Sequence, residues 1–153
     1  MSDRPLHQPH IVLDFDGVLH SYTSGWCGPV PTDPPTPGAV DFVRWLLSAG
    51  VRVTIVTTRA ATPEGFDGVR AWLVAHQFPE AARLLVTDQK VPAHLYLDDR
   101  GLRFEGDFAT IKAWLLDRRL TWQSTWIDAA RLAEPATLAA TPGSPNGQSE
   151  GES

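Results

Sequence analysis

The sequence predicts an α/β domain of the three-layer, Rossmann-like kind, with a central and mostly parallel sheet. Three observations carry this. Short apolar runs, most of them rich in β-branched residues, recur at 10–14, 51–57, 83–87 and 94–98, each too short for a helix. Stretches with helical apolar spacing alternate with them. Each run also ends in polar residues: Asp14-Phe15-Asp16, Thr57-Thr58-Arg59, Asp88-Gln89-Lys90 and Asp98-Asp99. In a parallel sheet those ends meet on one edge, the edge at which such folds bind ligands.

A chain of 153 residues has room for one domain with a real core and not for two ordinary ones. Hydrophobic residues make up 42% and charged residues 20%, as expected of a chain that folds. The net charge of -5 weighs against a general nucleic-acid-binding surface. A single cysteine, Cys27, excludes an internal disulfide and reads as a plain loop thiol in a reducing compartment. The polar first residues lack the apolar centre of a signal peptide, and no apolar run is long enough to span a bilayer. A soluble, cytoplasmic protein without membrane contact is the expectation.

Residues 1–9, polar with two prolines, are expected to form a flexible leader. The first strand covers 10–14. From 17 to 37 the chain is rich in Gly, Pro, Ser and Thr, and five prolines between Pro29 and Pro37 forbid a helix or a central strand. A loop of that length leaving an acidic strand tip suits the covering of a site. Thr36 as N-cap and Pro37 at the first position predict a helix whose Val40, Val43, Leu46 and Leu47 face the core, ended by Gly50. Val51–Thr57 is the second strand. Thr62-Pro63-Glu64 opens a second helix, with Phe66, Val69, Trp72 and Leu73 facing inward and an end near Gln77.

The third strand is expected near Arg83–Thr87 and the fourth at His94–Asp98, with a brief edge strand at Leu102–Phe104. Asp107 caps a last helix carrying Phe108, Ile111, Trp114 and Leu115 on its apolar side. The folded domain is thus expected over 10–118. A segment at 119–134, with Trp122, Trp126 and Ile127, is expected to pack on it, and 135–153 has the composition of a disordered tail.

Two carboxylates at the end of a buried strand cost desolvation energy and repel each other unless a cation or proton holds them. Asp14, Asp98 and Asp99 converging on one point would make a hard oxygen site suited to Mg²⁺. Lys90 is a cation able to bind a phosphate oxygen, against the plain alternative of a surface lysine. Thr57 offers a hydroxyl at a strand end, and Thr58 the same with less reason. Arg59 could reach a substrate or could pair with a carboxylate of the domain.

Asp14-Phe15-Asp16-Gly17-Val18, Thr57 after an apolar strand, Lys90, and Leu95-Tyr96-Leu97-Asp98-Asp99 resemble the four ordered motifs of the haloacid dehalogenase-like superfamily, over residues 10–116. The resemblance implies a sheet with the first-motif strand in its middle and Mg²⁺-dependent phosphoryl transfer. It implies Asp14 as the nucleophile, forming an aspartyl-phosphate, and Asp16 as the general acid and base. It further implies Thr57 (or Thr58) and Lys90 as phosphate ligands. Mg²⁺ would be held by Asp14, the backbone carbonyl of Asp16, and Asp98 with Asp99. An aspartate at position 16 favours a phosphatase over a dehalogenase.

The family's substrate-selecting caps follow the first motif or lie between the Thr and Lys motifs. Neither gap here can hold a folded domain, so the chain resembles a capless member. Tyr22 and Trp26 in the loop, with Arg59, are candidate substrate contacts; burial against the domain is the competing fate of the two aromatics. The leading expectation is a phosphatase acting on a phosphomonoester, with a small-molecule substrate favoured. The alternatives are a nucleic-acid end (3′-phosphate) phosphatase and a non-catalytic binding or regulatory module. Against the last stands the presence of Asp14, Asp16, Lys90 and Asp98 together.

Overall fold

The computed structural model describes residues 8–117, so the segment expected at 119–134, the tail at 135–153 and most of the leader lie outside the described residues. The chain divides into two compact units, Met1–Leu102 and Arg103–Ser153. The last helix, expected within a domain ending at 118, therefore belongs to the second unit.

In the first unit, strands β1 (His10–Asp14), β2 (Arg52–Val56), β3 (Leu85–Thr87) and β4 (Leu95–Leu97) form one sheet in the order β3-β2-β1-β4, and every pairing is parallel. The α/β, Rossmann-like class expected of the sequence is the one observed. Strand β1 lies between β2 and β4, so the strand order reverses there. The register sets Leu13 beside Ile55 and Leu97, and Asp14 beside Val56. The carboxyl ends of the strands thus lie level along one edge.

Helices α1 (Ala39–Ser48) and α2 (Pro63–Ala75) form the two crossovers. Both steps, β1 to β2 and β2 to β3, run the same way across the sheet, and right-handed crossovers then place both helices on one face. The core agrees. Leu13, Val53, Ile55 and Val86 of the sheet share one cluster with Val43 and Leu46 of α1 and Val69, Trp72 and Leu73 of α2. Each fully buried aliphatic side chain here contributes about 1.5–3 kcal/mol. Phe15, just past β1, is also fully buried and meets Trp72 edge-on at 5.0 Å, which pulls the chain inward after Asp14.

The element ends differ from expectation where backbone geometry overrides pattern. Helix α1 starts at Ala39, because Gly38 adopts φ 85°, a left-handed conformation that cannot sit inside a helix. Thr36 serves instead through its carbonyl, which accepts from Ala39 N. Helix α2 has the expected Thr62 cap, accepting from Gly65 N, but ends at Ala75; Gln77 has φ 58°. Strands β2, β3 and β4 are each shorter than their apolar runs. Residues 102–104 form no strand.

In the second unit, helix α3 (Phe108–Asp117) has the expected cap, Asp107 accepting from Ala109 N at 2.9 Å and Thr110 N at 3.3 Å. Among the described residues no helix is long and apolar enough to cross a membrane.

Candidate metal and phosphate site

Strand order reverses at β1, and the crevice at such a point is where open α/β sheets take ligands. Asp14 ends β1 and Asp98 and Asp99 follow β4, its neighbour across that reversal. One carboxylate oxygen from each of the three lies within 4.8 Å of the others. Asp14 Oδ1 accepts from Phe15 N at 2.7 Å. Asp98 Oδ1 accepts from Arg100 N at 2.7 Å and Gly101 N at 3.0 Å, so the turn after β4 is closed by the carboxylate that it presents.

Asp99 lies directly over Gly17, where an added Cβ would collide with its carboxylate. Gly17 also has φ 81°. The glycine after the first motif thus serves two ends: the turn itself, and the approach of the β4 acid to the β1 acid.

Half-buried Asp14 carries the electrostatic consequence. Its loss of water, and then the nearby Asp98 and Asp99 carboxylates, push its pKa from 3.8 to about 7, against the opposing bond from Phe15 N. Without a cation the cluster therefore holds a proton near neutrality. Three hard oxygen donors of like charge, two of them exposed, fit a small divalent cation such as Mg²⁺ that also keeps water and substrate ligands. Among the described residues no hydrogen bond uses the Asp16 carbonyl, leaving it available as the expected backbone ligand.

The Asp16 side chain goes elsewhere. Arg59 Nε donates to its two oxygens at 3.0 and 2.8 Å, and His20 Nδ1 lies 2.8 Å from Oδ1. The backbone N–H of Asp33 donates to His20 Nε2 at 2.9 Å, which assigns the ring proton to Nδ1 and makes His20 a neutral donor to Asp16. Arg59 is 2% exposed, and its Nη1 donates to the carbonyls of Gly28 and Pro29 at 2.7 and 2.9 Å. Of the two readings of Arg59, substrate contact or pairing with a carboxylate, the structure shows the pairing: the guanidinium is buried, with Nε on Asp16, Nη1 on the loop carbonyls and Trp26 over its face.

Thr57 is the buried threonine of its pair, with Oγ1 accepting from Arg59 N at 3.3 Å, so its hydroxyl proton is available to a ligand at the strand end. Thr58 is exposed and begins the short 3₁₀ turn. Lys90 does not join the acid cluster: no described carboxylate lies within 4.0 Å of its ammonium, which instead sits 5.2 Å from the Tyr96 ring centre. Tyr96 hydroxyl donates to Val91 O at 2.6 Å and holds that ring against the Lys90 loop.

Sequence reasoning missed His20 and Asp33. Asp33 accepts from Ser24 N at 2.7 Å and Ser24 Oγ at 2.6 Å, while its carbonyl accepts from Trp72 Nε1 at 2.8 Å. The two Ser24 bonds hold its carboxyl below the usual range. A signal existed for His20 alone, four residues beyond Asp16 across a glycine turn. A cavity of about 490 Å³, lined by residues including His10, Arg52 and His94, lies at the opposite ends of the strands and includes none of the acid cluster.

No family model and no curated protein matches the chain. A solved structure, that of a conserved protein coded by a locus of Bacteroides thetaiotaomicron, is similar over 68% of this chain and 86% of its own, with 19% identity and a TM-score of 0.47.

Proposed function

We propose that the chain is a Mg²⁺-dependent phosphatase of the haloacid dehalogenase-like type, hydrolysing a phosphomonoester. The observation that carries this reading is the cluster of Asp14, Asp98 and Asp99 at the strand reversal, with the Thr57 hydroxyl on the next strand end. Asp14 supplies the oxygen that attacks phosphorus, and the bond from phosphorus to the alcohol oxygen breaks. Water then attacks the aspartyl-phosphate, releasing inorganic phosphate and restoring the carboxylate. Mg²⁺, when bound, neutralises the charge that would keep a carboxylate and a phosphate apart.

The protein's own groups supply the rest. Asp14 must lose its proton to attack, and a cation among the three acids favours that loss. Thr57 donates to a phosphate oxygen. Lys90, whose ammonium rests beside the Tyr96 ring, would leave it to bind another. Asp16, oriented by Arg59 and His20, gives a proton to the departing alcohol oxygen in the first step and recovers one from the attacking water in the second.

With Mg²⁺ the purified protein should release phosphate from p-nitrophenyl phosphate, and Asp14→Asn should abolish the release. Turnover that survives the substitution refutes Asp14 as nucleophile. An inactive but folded wild-type protein refutes the phosphatase.

A further inference from the structure

We propose that the loop between β1 and α1 forms an aromatic platform beside Asp16, and that the substrate is a phosphomonoester whose alcohol half carries a planar aromatic ring: a nucleoside monophosphate, and not a bare sugar phosphate. This rests on the phosphatase reading for the phosphate half and on the loop alone for the ring.

Both groups that hold the Asp16 side chain also hold an aromatic residue of the loop. The Trp26 ring centre lies 4.6 Å from Arg59 Cζ, and the Tyr22 ring lies 6.1 Å from that of His20. Arg59 cannot yield without abandoning its bonds to Asp16, Gly28 and Pro29. The indole is therefore braced from behind by a buried cation, while Trp26 remains 59% exposed. An exposed tryptophan is ordinarily free to change rotamer, and stacking on it costs that freedom; here the cost is met before a ligand arrives.

The segment itself is clasped. Ser24 bonds Asp33 twice, Asp33 is tied to His20 and Trp72, and Tyr22 is held at φ 56°, a left-handed conformation uncommon for a bulky side chain. A fixed indole, backed by the guanidinium that also holds Asp16, offers its outer π-face to a ring carried by the substrate. A sugar phosphate has no ring to place there. The net charge of -5 disfavours a long polyanion as the carrier of the base.

The test is calorimetry on the full chain carrying Asp14→Asn, with Mg²⁺, against adenosine 5′-monophosphate and ribose 5-phosphate. The nucleotide should bind about tenfold tighter, the worth of one stacked base. Adding Trp26→Ala should bring the two ligands within about threefold, and Trp26→Phe should keep most of the preference. Equal binding of the two ligands, no binding of the nucleotide, or a preference that survives Trp26→Ala overturns the proposal. A 3′-phosphorylated hexanucleotide binding tighter than the mononucleotide overturns the small-molecule assignment. Phosphate release from p-nitrophenyl phosphate, measured on wild-type protein, separates the two readings: turnover with equal ligand affinities keeps the phosphatase and loses the platform, and a Trp26-dependent preference without turnover does the reverse.

Discussion

Asp14→Asn should stabilise the metal-free protein at pH 8 and do so progressively less as the pH falls. Asp14 is half-buried at the tip of β1, and desolvation followed by repulsion from Asp98 and Asp99 lifts its pKa from 3.8 to about 7. The folded chain then binds this proton more tightly than the unfolded chain. The stability that it contributes is complete below about pH 3.8 and is lost as the pH rises through about 7. Linkage sets a ceiling of about 4 kcal/mol on that loss, and solvent screening of a half-exposed carboxyl lowers it to about 2 kcal/mol. Asparagine does not titrate, and its Oδ1 can keep the bond from Phe15 N. Urea unfolding of both proteins in chelator, at pH 4.5, 6 and 8, should show the wild type losing about 2 kcal/mol relative to the variant across the series. A difference that is flat with pH, or that moves toward the wild type as pH rises, refutes the reasoning. Saturating Mg²⁺ should restore the wild type at pH 8 and leave the variant behind.

Arg59→Leu removes the cation paired with Asp16, whose side chain is 16% exposed, and should cost about 3–5 kcal/mol in thermal or urea unfolding. It should also open the segment around Gly28 and Pro29 to proteolysis; an unchanged melting temperature with an intact loop contradicts the brace. Gly17→Ala places a methyl group against Asp99 at φ 81°, so Mg²⁺ affinity by calorimetry should fall at least about tenfold, and an unaltered affinity removes Asp99 from the site. Leu13→Ala, at a fully buried position of β1, should cost about 2–5 kcal/mol by urea unfolding, and a cost under about 1 kcal/mol would mean that the β1 face is not the core.

The parallel sheet was legible because β-branched runs and helical spacing are local signals, and because the polar ends of Asp14, Thr57 and Asp98 repeat strand by strand. The acid cluster was legible for the same reason, since adjacent parallel strands in register bring their next residues together. The fate of Asp16 was not. Its partners lie 4 and 43 residues away, and the longer pairing depends on the loop carbonyls of Gly28 and Pro29, which no residue type announces. The resting position of Lys90 was hidden for another reason. A lysine following β3 is placed by the strand, but its ammonium sits 5.2 Å from the Tyr96 ring centre, a contact that a reading by motif order does not see. The helix start at Ala39 turned on one dihedral at Gly38, where Thr36-Pro37 offered an equally good cap.

Two carboxylates two residues apart thus occupy opposite environments, and the turn between them is the cause. Buried Phe15 draws the chain into the core, and Gly17 then turns it. Asp14 is left facing two acids across the strand reversal, while Asp16 is directed toward a guanidinium and an imidazole N–H. In one environment the charge lacks a partner until a cation enters; in the other the partner is built in. A divalent cation should therefore bind with release of a proton from Asp14 at pH 6, in step with loss of the like-charge strain, while the Asp16–Arg59 pair stays as it is. On the proposed phosphatase reading, such a division would let a metal govern Asp14 without disturbing Asp16. The same reading would account for a loop bound to Asp16 and not to Asp14: a brace on Asp14 would compete with a cation, and a brace on Asp16 would not.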